Sequence, residues 1–181
     1  LDDYLSSSTT ETHKESTTID STTVADTRGG VVSSAPSSFA LDIGSSGAVT
    51  ELVSGGKQLV VIAARSAGVQ AVDITDPTKP VVQDLSTLNT ALAALPADPA
   101  SGESFTNVGG VLAVPGSGTE VALFDYSQPR LVVVDVATQK VISDLNLSAQ
   151  LTTVTSFSGG SAYISGGISD STRDLIWLAT G

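Results

Sequence analysis

The stretch Val121-Ala122-Leu123-Phe124-Asp125-Tyr126-Ser127-Gln128-Pro129-Arg130-Leu131-Val132-Val133-Val134-Asp135-Val136-Ala137-Thr138-Gln139-Lys140-Val141-Ile142-Ser143-Asp144-Leu145 decides the fold. Val121 to Phe124 is a short apolar run, and Asp125 to Arg130 is a polar loop. Leu131 to Val136 is apolar again, Ala137 to Lys140 turns the chain, and Val141 to Leu145 returns. Upstream, Gly110-Val111-Leu112-Ala113-Val114 is stopped by Pro115-Gly116-Ser117-Gly118, a turn signal. Four short strands separated by tight turns read as an antiparallel meander of about 37 residues.

The pattern recurs. Ala40-Leu41-Asp42-Ile43, Ala71-Val72-Asp73-Ile74 and Val133-Val134-Asp135-Val136 each place one Asp near the end of an apolar run. A second apolar run ending in an acid and Leu follows each: Glu51-Leu52, Asp84-Leu85, Asp144-Leu145. Leu59 and Val121 start matching strands fourteen residues before Asp73 and Asp135. Repeats of this size mark propellers, solenoids or arrays. Asp42, Asp73 and Asp135 are expected to form turns, because a short carboxylate can accept backbone N–H groups two or three residues on. The alternative is a ring of carboxylates converging on a cation.

Arg130 to Ile142 resembles the third and fourth strands of a YVTN-type β-propeller blade. Gly68 to Pro80, with Asp73-Ile74-Thr75-Asp76-Pro77 after the third strand, resembles an LVIVD-type blade. The resemblance covers roughly 39–181 and implies four-stranded blades. It implies no single activity, since such families include ligand binders, adhesive surface proteins and a few enzymes.

Asp73 and Asp135 lie 62 positions apart, more than the roughly 40 to 45 residues of one blade. The excess falls in 86–107. There, Ser86 to Leu95 reads as one short helix capped by Ser86, with Leu88, Leu92 and Leu95 on one face and Pro96 ending it. A packing or partner-contact role is expected for this insertion. A last unit begins near Ala162-Tyr163-Ile164-Ser165, with Gly166-Gly167 as its turn and Asp174 to Leu178 as its second strand. Trp177 and Tyr163 are expected to pack in the core or on a blade face. Val49–Val53 reads either as the outer strand of the first unit or as the inner strand of the second.

The fold expected is therefore all-β: an incomplete β-propeller-like array of four-stranded antiparallel meanders, with two nearly whole units flanked by two partial ones. It carries one short inserted helix over repeats spanning 39–181, and an N-terminal extended arm over 1–38. A closed propeller takes four to eight blades, so unpaired flanks are expected, and unpaired flanks invite association. The chain is expected to be a fragment, to be completed by another chain or copy, or to form an open assembly, the first being the leading expectation. The arm is Ser/Thr-rich, as in Ser6-Ser7-Ser8-Thr9-Thr10, and buries too little to fold alone.

Composition narrows the function. Eight Lys and Arg against nineteen Asp and Glu give −11, which repels nucleic acid and anionic membranes. There is no Cys, which excludes disulfides, thiolate metal sites and iron–sulfur clusters. No run is long and apolar enough to span a membrane. There is no Met, and a cleaved export signal is the expectation for the Leu1 start. The single histidine, His13, lies in the arm, so no Ser-His-Asp arrangement is expected in the body. Gly166-Gly167-Ile168-Ser169-Asp170 and Ser158-Gly159-Gly160 are expected to be plain turns rather than calcium loops. Asn146-Leu147-Ser148 is a formal glycosylation sequon. No catalytic residue, cofactor or metal site is expected, and Tyr126 and Arg130 are interface candidates. The reading is a non-catalytic, extracytoplasmic (periplasmic, cell-surface or secreted) structural or interaction subunit, partnered by other chains or further blades. The alternatives are a fragment of a lactonase-like or quinoprotein-like propeller enzyme, and a cation-dependent adhesin.

Overall fold

The computed structural model describes residues 47–98, 102–148 and 163–180. Asp42, the arm and the unit expected before residue 47 lie outside them, as does Ser158-Gly159-Gly160. Among the described residues there are two complete meanders and one hairpin. The first sheet holds β1 (Val49–Ser54), β2 (Lys57–Ala63), β3 (Val69–Asp73) and β4 (Val81–Gln83), in the order β1-β2-β3-β4. A helix, α1 (Ser86–Ala93), follows. The second sheet holds β5 (Val108–Ala113), β6 (Glu120–Asp125), β7 (Arg130–Asp135) and β8 (Lys140–Asn146), in chain order. The hairpin is β9 (Ile164–Asp170) with β10 (Leu175–Thr180). All neighbouring strands are antiparallel.

The sheets stack, and the period-2 alternation of each strand decides which side chain goes to which layer. In the first sheet, Leu52, Val61, Ala63, Val69 and Ala71 point to the second sheet. Val111, Val121, Leu123, Val132 and Val134 answer from the facing side. The other side of the second sheet carries Ala122, Phe124 and Leu131, which pack against Ile164, Ile176 and Leu178 of the hairpin. The second sheet is thus covered on both faces, which explains why β6 and β7 read as continuous apolar runs. Burying each Val, Leu or Phe contributes about 1.5–3 kcal/mol. The first strands of successive units lie side by side, β1 by β5 and β5 by β9, so the layers form an open fan.

The insertion fills the gap between the first two layers. Leu85, Leu88, Leu92 and Phe105 join the same apolar cluster as both sheets. Asn89 ties α1 to the first sheet: its Oδ1 accepts the Val69 N–H at 2.8 Å and its Nδ2 donates to the Val69 carbonyl at 3.0 Å. Gln139, in the β7–β8 turn, ties α1 to the second sheet. Its Oε1 accepts the Leu88 N–H at 3.2 Å and its Nε2 donates to the Asp84 carbonyl at 2.8 Å.

Three expectations change, and one open alternative closes. Of the two readings of Val49–Val53 the inner strand holds, because Val49–Ser54 pairs with β2 along its full length. Glu51-Leu52 is therefore not the end of a fourth strand. Leu85, not Ser86, occupies the N-cap and makes no side-chain bond; instead Asp84 Oδ1 accepts the Ser86 N–H at 2.9 Å. Gly166-Gly167 lies within β9, and the turn falls at Ser171–Asp174. Gly167 is needed for close approach: a Cβ there would meet the Trp177 carbonyl oxygen at 2.7 Å and Leu112 Cδ1 at 2.8 Å.

Candidate functional site

Two features of the molecule can engage something else. The first is a small cleft at the end of the fan where the insertion sits. The β2–β3 turn, α1 and the strand leading into β5 enclose about 120 Å³, lined by Ser66, Gly68, Asn89, Leu92, Phe105 and Thr106. Beside it, Arg65 holds a left-handed backbone at φ 49°. Its backbone bridges to Val108, with Arg65 N–H to Val108 O at 2.9 Å and Val108 N–H to Arg65 O at 3.3 Å. Its guanidinium lies 5.5 Å from the ring centre of Tyr126, and its buried Nε has no hydrogen-bond partner. Asn89 is already committed to Val69. What the cleft offers a ligand is a shallow apolar wall with two free hydroxyl side chains.

The second feature is the flank of the hairpin. Ile168 sits opposite Trp177, and Asp170 opposite Leu175, so these side chains share the face turned away from the second sheet. Ile168 is 63% exposed, Trp177 55% and Leu175 44%. Trp177 does lie on a sheet face, but the outward one; Tyr163, next to the hairpin, is also exposed. Among the described residues β10 pairs only with β9, which leaves one row of backbone groups along Leu175–Thr180 without a strand partner there. That strand carries no charge. The β4 and β8 edges of the two four-stranded sheets are guarded. β4 is three residues long behind Lys79 and Pro80, and β8 carries Lys140 and Asp144. Charges, Pro and shortness are the usual protections of a sheet edge. The outward face of the first sheet also shows apolar groups, with Val49 60%, Val53 65% and Val82 45% exposed.

The sequence-derived candidates fall elsewhere. Asp73 Oδ1 accepts the Thr75 N–H at 3.0 Å, and bonds from the Thr75 hydroxyl and N–H hold its carboxyl below the usual range. Asp135 Oδ1 accepts the Thr138 N–H at 2.7 Å, and Oδ2 accepts the Thr119 hydroxyl at 3.0 Å. Partial burial pushes the Asp135 pKa up, but these bonds outweigh it and the net direction is down. Each carboxylate is occupied by its own turn, and among the described residues no three His, Cys, Asp or Glu come together as metal ligands. Arg130 turns inward and is 4% exposed. It bonds Asp144, donates to the Pro96 carbonyl at 2.9 Å and lies 5.7 Å from the Phe105 ring centre. Tyr126 is half-buried, edge-on to Phe124 with ring centres 5.8 Å apart. Asn146 of the sequon is exposed, with its amide donating to Asp98.

Sequence reasoning did not single out Arg65, Asn89 or Gln139. Only Gln139 carried a local signal, as a turn residue; the partners of all three are brought close by stacking. No family model, curated protein or solved structure matches the chain.

Proposed function

We infer that the chain is a non-catalytic interaction module: a partial β-propeller of the YVTN or LVIVD kind that binds other β-units or protein chains through its open flank. The observation that carries this reading is the outward face of β9–β10. There Trp177 and Ile168 stand exposed as a pair on a two-stranded sheet with an uncharged free edge. Two strands alone make a marginal sheet, and a third strand or a covering layer stabilises it. Exposed aromatic groups on such a face are typical of protein-binding patches. Work outside the cytoplasm is supported by composition, namely the Ser/Thr-rich 1–38 segment.

Site-specific photo-crosslinking tests it. A benzophenone side chain at position 177 should give protein adducts in the producing organism, whereas the same group at Lys79, an exposed control, should not. Equal adduct yields at the two positions, or none at 177, would remove the reading.

A further inference from the structure

We propose that Arg65 and Tyr126 together form a receptor for a singly charged carboxylate, a site independent of the hairpin flank. The two residues occupy matching places in successive units. The β2–β3 ladder ends with Ala63 opposite Val69, and the β6–β7 ladder ends with Phe124 opposite Leu131. Arg65 and Tyr126 each stand two residues past that last rung. Stacking of the sheets brings them together, with the guanidinium 5.5 Å from the Tyr126 ring centre. Gly109 makes room for the ring, since a side chain there would collide with it.

Three observations mark this pair as more than packing. Arg65 holds a left-handed backbone at φ 49°, which glycine or asparagine adopts with less strain. Such strain concentrates where a side chain is in use. Second, the cation has no acid. Arg130 and Arg173 each hold an aspartate. Arg65 makes no ion pair among the described residues, in a chain with nineteen Asp and Glu. Third, donors are left over. The buried Arg65 Nε has no hydrogen-bond partner, and among the described residues the Tyr126 hydroxyl has none either. Buried donors without an acceptor are rare, and each calls for a missing partner. The stack on Tyr126 steadies the guanidinium plane without using its N–H groups.

The chemistry of the partner follows from these donors. A planar fork of N–H groups beside one hydroxyl matches the two oxygens of a carboxylate in charge-assisted bonds. The net charge of −11 repels anions in proportion to their own charge. One guanidinium offsets a single unit, so a monocarboxylate is favoured over a phosphate dianion.

Nitrogen-15 NMR of the whole chain provides the test, because an arginine Nε–H gives its own signal. Acetate should shift the Arg65 Nε–H and the Tyr126 ring signals along one saturable curve. The Nε–H of Arg130, already bonded to Asp144, should stay in place. Chloride and inorganic phosphate at matched ionic strength should shift the Arg65 signal less. Arg65→Asn suits the left-handed backbone, so the fold is retained, with a melting temperature equal to or above that of the wild type. In that variant the Tyr126 response to acetate should vanish. Arg65→Lys keeps the charge without the fork and should weaken binding about tenfold, the worth of one charge-assisted bond. Tyr126→Phe keeps the stack without the hydroxyl and should weaken it about threefold. An end-blocked peptide with a single glutamate, run beside acetate, separates the sources. Equal affinity assigns the site to free acids, and tighter peptide binding assigns it to an acidic side chain of another protein. No saturable shift of the Arg65 signal at any acetate concentration overturns the proposal, as does a Tyr126 response that survives Arg65→Asn. Phosphate acting as strongly as acetate overturns it too, because the pair would then collect any anion.

Discussion

Arg130 grips Asp144 with two parallel bonds, Nε to Oδ1 at 2.7 Å and NH2 to Oδ2 at 2.6 Å, across the β7–β8 ladder. The guanidinium side chain is 5% exposed and the carboxylate side chain 29%. The fork also reaches the Pro96 carbonyl, so one buried cation fastens the insertion to the second sheet. The bonds that Arg130 donates to Asp144 raise its pKa further above its already high ordinary value. Asp144→Ala leaves that cation buried and unpaired and is expected to destabilise by about 3 kcal/mol. Arg130→Met removes the charge while keeping the stem over Phe105 and should cost less. Urea unfolding of both variants checks the order; equal or inverted losses would contradict it.

Asn89→Ala removes both bonds to the Val69 peptide while leaving α1 intact. A loss of about 1–2 kcal/mol is expected, because a buried peptide group loses its partner. Amide hydrogen exchange at Val69 should accelerate more than at Leu123, which lies in the other sheet. Uniform acceleration would mean that Asn89 acts on the whole fold instead.

A Cβ on Gly110 would lie 2.0 Å from Phe124 Cζ, whereas one on Gly166 meets nothing within 4 Å. Gly110→Ala is therefore expected to destabilise by about 1–3 kcal/mol through forced displacement of the ring. Gly166→Ala, also in a strand, should be neutral or slightly stabilising through reduced freedom of the unfolded chain. Melting temperatures of the two variants decide.

Asp73, Asp76, Asp84, Asp135 and Asp170 all have carboxyl groups held below their ordinary range. A depressed carboxylate stabilises the fold above its unfolded pKa, and that stability disappears as pH falls through the folded value. Stability should therefore be level above about pH 5 and fall progressively below about pH 4. Asp135→Asn should lower stability near neutrality by about 1 kcal/mol and flatten the acid limb. An acid limb as steep in the variant as in the parent would show that Asp135 contributes nothing to it.

The second meander was legible in full. Its four apolar runs are separated by Pro-Gly, Asp-Tyr-Ser and Ala-Thr-Gln stretches, and alternation is not needed where both faces are buried. The helix was legible from Leu88, Leu92 and Pro96, but its cap was not, because Asp84 competes with Ser86 for the same turn. The turn of the hairpin was misplaced because Gly167 serves packing against the Trp177 carbonyl, and a glycine required for close approach looks the same in sequence as one required for a turn. Arg130 reads as a loop cation until Asp144, fourteen residues away, is brought to it by the β7–β8 register. The outward position of Trp177 was illegible for the same reason: alternation assigns it to a face, and only the stacking order says whether that face is covered.

That stacking order is the central claim, and amide hydrogen exchange on the dilute chain tests it most directly. The slowest amides should lie in β6 and β7, the central strands of the sheet covered on both faces. Alternate amides of Leu175–Thr180, along the open edge of β10, should exchange at close to unprotected rates. Protection throughout β10 equal to that in β6 would mean that the edge is already paired within the chain, and would contradict the open fan.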